Sequence, residues 1–261
     1  MRANADRKKG LNMDDKMKNA IWRGLFHDPD KLIRGIIYLN IGMFALSLFL
    51  NTKLIGISFN PFASLAPDSK SLLILGATGT YPIDKLHRWW SLLSANYLHG
   101  GILHILFNMI AFSQIATAVA REYGRHRFLI IYSLGGIAGF YISYLACVHF
   151  TIGASAAVCS LLGALLYYGW SRGGEYGNLV FKQVGGWILS LFIFGFLWPG
   201  INNWGHGGGI LSGAILGLLM GYSERKPENS LHRYFALSLT IATLMILAWA
   251  VITGIFFRLT Q

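Results

Sequence analysis

Long apolar stretches separated by short polar ones run through the chain, and their lengths predict helices. Seven runs stand out, over about residues 33–50, 98–120, 127–148, 153–170, 184–199, 204–222 and 234–257. At 1.5 Å rise per residue, roughly 17–25 apolar residues cross a hydrocarbon core about 30 Å thick. The fifth run is short and ends at Trp198-Pro199-Gly200, where a helix stops. A long segment, 51–90, separates the first two runs and carries the turn signals Asn60-Pro61, Ala66-Pro67 and Tyr81-Pro82. It is apolar in patches, and Trp89 and Trp90 suit a membrane interface, so it is predicted to be a partly embedded loop. The expected fold is an all-α polytopic membrane protein. A tail (1–31) precedes a six-span core (32–222), and a further loop and a seventh, C-terminal span follow (223–261).

Small residues differentiate the spans. Gly205, Gly209, Gly213, Gly217 and Gly221 recur at every fourth position and so share one helical face. Gly135, Gly136, Gly139, Gly153 and Gly163 enrich the third and fourth runs. In lipid, packing drives helix association, and such faces let two backbones approach closely. The first and last runs hold few glycines and are expected at the periphery.

Composition changes the picture by excluding a water-soluble fold. Apolar residues make up 54% of the chain and charged ones only 13%, against about 25% charged in a typical globular protein. The net charge of +11 invites a nucleic-acid reading, but the basic residues sit in the tail and loops without an interleaved aromatic patch, so no nucleic-acid partner is expected. Cys147 and Cys159 lie inside apolar runs and imply no disulfide framework. The first run begins too late for a usual cleaved signal peptide. Distribution of charge sets an orientation. With the N-terminus cytoplasmic, the tail and the loops near 121–127, 171–182 and 222–233 hold 17 of the 22 Lys and Arg residues inside. The positive-inside rule therefore predicts N-in, C-out, with the basic tail against anionic cytoplasmic lipids.

Ionisable groups within spans are costly and are functional candidates by default. No Asp or Glu occurs between Lys85 and Arg121, Tyr123 and Gly174, or Tyr176 and Ser223. That absence argues against a proton pump or transporter. The polar set reduces to His99, His104, Asn108, Ser155 and His206. With the expected topology the second, fourth and sixth spans all run inward, which brings these residues to one depth in the outer third of the bilayer. A serine hydroxyl needs an adjacent base, and histidine supplies one near neutral pH. With no carboxylate at hand, Ser155 as nucleophile and His206 as base would form a dyad. The Ser155 N–H, at a helix N-terminus, could hold an oxyanion together with His104 and Asn108, which are spaced i, i+4.

Ser155 alone is a common packing residue of a membrane helix. His206 alone could bond between helices, and His99 at the boundary reads as structural. Cys159, one turn below Ser155, is a rival nucleophile, yet buried cysteines usually pack. His99 and His104 are five apart, unlike the i, i+4 pair of a zinc motif, so no metal is expected.

Three segments together resemble the rhomboid family of intramembrane serine proteases over residues 30–222. Leu98-His99-Gly100-Gly101-Ile102-Leu103-His104-Ile105-Leu106-Phe107-Asn108 is similar to its H-x4-H-x3-N motif. Gly153-Ala154-Ser155-Ala156 is similar to G-x-S-G, and Asn203-Trp204-Gly205-His206-Gly207-Gly208-Gly209 to the histidine segment. The resemblance implies a six-helix core, a nucleophile below a water-filled cavity, and cleavage of transmembrane protein substrates near the outer face without a cofactor. It assigns Ser155 as nucleophile, His206 as base, His104 and Asn108 to the oxyanion hole, and His99 to support. A bacterial inner membrane is the expected location. A rhomboid-like escort protein without activity is the alternative. The chain departs from the pattern at Ala156, at Cys159 where an aromatic often stacks on the base, and at Ser91 where Trp-Arg is frequent.

Overall fold

A computed structural model describes residues 29–51, 65–198 and 200–260. The tail 1–28, Lys53, the Asn60-Pro61 turn and Pro199 lie outside the described residues. Within them stand seven helices of 18 to 30 residues: α1 (Pro29–Phe49), α4 (Ile102–Tyr123), α5 (Arg125–Leu145), α6 (Ser155–Arg172), α7 (Gly174–Leu197), α8 (Asn203–Met220) and α9 (Ser230–Leu259). Two short helices, α2 (Ser69–Ile74) and α3 (Ser91–Ser94), lie between α1 and α4. Five helices (α1, α4, α5, α7 and α9) are long and apolar enough to cross a membrane. The remaining two, α6 and α8, are 18 residues each and carry Ser155 and His206.

Those two helices pack at backbone contact because glycine allows it. A Cβ on Gly213 would overlap the Ser160 carbonyl, and one on Gly163 the Ile210 carbonyl. One on Gly209 would lie 3.0 Å from Cys159 Cβ and closer still to the Ala156 carbonyl. On α5, a Cβ at Gly139 would meet Gly205 O at 2.8 Å, Gly209 N at 3.0 Å and Ala156 Cβ at 3.2 Å. Thus α5, α6 and α8 interlock at the level of the residues beside Ser155 and His206. The last of the five periodic glycines has another task. Gly221 caps α8 at φ +67, and a Cβ there would meet only Lys226 Cβ, at 3.9 Å. By contrast α7 and α9 turn exposed apolar residues outward, among them Leu189, Phe196, Leu244 and Ile252, as lipid-facing helices do.

From residue 65 onward the long segment before α4 is more ordered than a loop. After α2 a single bridge pairs Thr78 with Thr151, through N–H to O bonds of 3.1 and 2.7 Å. A π-turn over Tyr81–Lys85, then α3 and a 3-10 turn over Ala95–Tyr97, lead to α4.

Three helix starts that differ from the periodicity bear on the site and its surroundings. Helix α4 starts at Ile102, so His99 lies on an extended lead-in, with Leu98 at φ −107, ψ 147. Two glycines in sequence, Gly100 and Gly101, delay the helix beyond where the apolar run starts. Helix α6 begins at Ser155 itself. Helix α7 begins at Gly174, ten residues before the apolar run, after a tight turn at Gly173 with φ +65. Apolarity marks only the part of α7 that lies in lipid. Its polar first turns are held by packing, for a Cβ on Gly177 would sit 2.8 Å from Gly169 O.

Candidate active site

Each candidate side chain occupies a position that its helix start creates. Ser155 opens α6, so its N–H has no partner within the helix and points out of the positive end of the helix dipole. His104 is the third residue of α4 and His206 the fourth of α8, where its N–H donates to Asn202 O at 3.1 Å. All three side chains therefore stand in the first turn of a helix.

Gly153 is where the first turns of α4 and α6 approach each other. Its φ of +126 suits glycine, and a Cβ there would lie 2.8 Å from His104 Nε2 and 3.6 Å from Ser155 Oγ. The neighbouring carbonyl of the 3-10 turn fixes this loop, since Gly153 N–H donates to Ala95 O at 2.9 Å. His104 Nδ1 accepts the Gly100 N–H at 3.2 Å. On a neutral ring that places the proton on Nε2, the atom beside Gly153 and Ser155. Asn108, one turn further along α4, donates from Nδ2 to His104 O at 2.8 Å, which leaves its second amide hydrogen for another acceptor.

His99 is fully buried, and neither ring nitrogen has a partner among the described residues. It packs edge-on against His104, with centroids 5.1 Å apart, and so braces that ring. His206 is also buried, 6% exposed, and its Nδ1 has no partner among the described residues. Ser155 Oγ and the His206 ring are not hydrogen-bonded to each other. Catalytic hydrogen bonds often tighten only when substrate is bound. Cys159 packs under Gly209, one turn from His206, and supplies volume rather than a stacking ring.

Two features of the surroundings escaped sequence reasoning. Asn202 caps α8, its Oδ1 accepting the Gly205 N–H at 2.9 Å, while its Nδ2 donates to Ser143 Oγ at 2.7 Å and Thr151 Oγ1 at 2.9 Å. Asparagine before an apolar run is a cap signal, and that half was readable. The ties to Ser143 and Thr151 had no local signal. The second feature concerns Ser91, which stands where the resemblance has arginine. Its hydroxyl donates to Thr78 Oγ1 at 2.9 Å, and Arg88 Nη1 donates to Leu73 O at 2.7 Å, so the outer segment is anchored by other means.

Fold and composition define the chain as an all-α, multi-pass integral membrane protein. The family model for the rhomboid domain matches residues 86–223, more than half of the sequence, and the chain belongs to the rhomboid family. Rhomboid protease GluP of Bacillus subtilis is 38% identical over 158 residues, 59% of this chain and 30% of that protein. RHOMBOID-like protein 4 of Arabidopsis thaliana is 30% identical over 205 residues, covering 72% of this chain and 52% of its own length. RHOMBOID-like protein 2 of the same plant is 27% identical over 260 residues, with 85% and 81% covered. The match thus spans about a third to a half of the first two relatives.

Proposed function

We propose that this protein is an intramembrane serine endopeptidase acting on transmembrane protein substrates, with Ser155 as nucleophile and His206 as base. The convergence of Ser155 Oγ and His104 Nε2 on Gly153 carries the reading, and the rhomboid family membership supports it. In this mechanism Ser155 Oγ attacks the scissile carbonyl carbon as its proton passes to the His206 ring. The oxygen, now anionic, accepts from the Ser155 N–H, His104 Nε2–H and Asn108 Nδ2–H, donors aimed where charge develops. His206 then returns the proton to the leaving amine, and water hydrolyses the acyl-enzyme by the same route in reverse. A peptide bond must leave its helix to be attacked, so substrates should unwind readily near the outer face. The charge bias supports an N-cytoplasmic orientation, and the Bacillus relative supports a bacterial cytoplasmic membrane as the setting.

A second reading, an inactive binder of membrane helices, draws on the absence of a Ser155–His206 hydrogen bond. Purified protein in liposomes, treated with a fluorophosphonate probe, separates the two. Wild type should be labelled and should cleave a tagged single-span substrate, whereas Ser155→Ala and His206→Ala should do neither. Equal labelling of wild type and Ser155→Ala would overturn the proposed chemistry.

A further inference from the structure

The Asn202 side chain joins three pieces of backbone that the proposed reaction needs in register. Its Oδ1 holds the first turn of α8 through the Gly205 N–H, one residue before His206. From Nδ2 it holds Thr151, four residues before Ser155, and Ser143 near the end of α5. Thr151 is in turn paired through its backbone with Thr78, whose hydroxyl accepts from Ser91. A continuous chain of bonds therefore runs from the turn that carries His206, through the loop that delivers Ser155, to the outer segment. The amide cannot be reversed without loss, because an NH2 group in place of Oδ1 would face the Gly205 N–H, donor against donor.

We infer that Asn202 is a positioning residue for the reaction: it sets the His206 imidazole against Ser155 by tying the α8 cap to the Thr151 loop. This rests on the dyad proposed above. Among the described residues His206 Nδ1 has no partner and no carboxylate is bonded to its ring, so the register of the two backbones must supply the alignment. The structural need for a cap and the catalytic need for a tie are separable. Serine at this position can accept the Gly205 N–H, as capping serines do, but is too short to hold Thr151 and Ser143 as well. Aspartate can accept from the Gly205 N–H and from both hydroxyls, which rotate to donate.

The test follows the rate of fluorophosphonate acylation and substrate cleavage in liposomes for wild type, Asn202→Ser, Asn202→Asp and Thr151→Val, each with its unfolding temperature. Asn202→Ser and Thr151→Val should each lower kcat and the maximal acylation rate about tenfold or more, as small misplacements do. KM should stay within about twofold of wild type, since substrate binding does not use this bond. The double variant Asn202→Ser/Thr151→Val should be no slower than the worse single, because both remove one interaction. Asn202→Asp should recover most of the rate. If wild type reacts and the single variants react at its rate, or if losses merely follow the fall in unfolding temperature, the inference is overturned while the dyad stands. If wild type fails to react with the probe, the dyad reading falls and this inference falls with it.

Discussion

At Ser155 the backbone and the side chain have separate tasks. The N–H is free because the residue begins α6, and the hydroxyl and His104 Nε2 both border the space that a side chain on Gly153 would fill. Asn108 is the donor with most freedom, since only one of its two amide hydrogens is engaged. Asn108→Ala should therefore leave the fold intact and lower kcat by about 10²–10³-fold, the usual loss for one oxyanion donor. Cleavage kinetics in liposomes check this, and a change under about threefold would remove Asn108 from the oxyanion hole. Residue types were legible at this scale: few polar groups lie in the apolar runs, and each one stands out. His99 shows the limit. Placed by sequence on the mouth of a helix, it sits on an extended strand of chain, because the two following glycines postpone helix formation.

At the scale of elements, small residues set how closely helices approach, and the loops set where they begin. The opposite end of the bundle shows this with charge. Glu228, in the connection between α8 and α9, accepts the His126 and Arg127 N–H groups at 2.8 and 2.9 Å and faces His126 Nδ1 at 3.0 Å. It thereby caps the start of α5 from 101 residues away in sequence. Arg127, fully buried, returns two bonds of 2.8 Å to the Lys226 and Pro227 carbonyls. Burial alone would raise the Glu228 carboxyl, but the bonds from His126 and Arg127 outweigh it and hold the group below its usual value. A lowered carboxyl stabilises the fold above its unfolded pKa, and that contribution is lost as pH falls through the folded value. Glu228→Gln should consequently lower the unfolding temperature at about pH 7, with the difference from wild type shrinking as pH falls through and below the ordinary carboxylate range. A difference that persists unchanged in acid would show that the carboxylate charge is not involved.

For the whole molecule, orientation across the bilayer decides which compartment meets the site. The orientation proposed above has the Ser155 end outside. Cys147 follows α5 at that same end and is exposed, whereas Cys159 is buried in α6. A membrane-impermeant maleimide added to intact cells should therefore label wild type, and Cys147→Ser should abolish that labelling. Labelling that requires permeabilised cells would reverse the orientation. Packing also separates the two helices that carry Ser155 and His206: α6 is enclosed by its neighbours and presents little surface to lipid, whereas α8 buries its glycine face and turns Trp204, Leu211, Leu218 and Leu219 outward.

By itself the sequence determined the class of fold, the polar residues worth suspecting, and the spacing of glycines on α8. These are local properties, and periodicity and composition record them directly. Only the tertiary structure decided that His104 and Ser155 both border Gly153, that Asn202 reaches Thr151 and Ser143, and that Thr78 pairs with Thr151. Each of those pairs joins positions dozens of residues apart, and no local preference encodes such a partner. The start of α7 was hidden for a related reason: its first turns are polar, and packing against Gly169 holds them helical where apolarity does not.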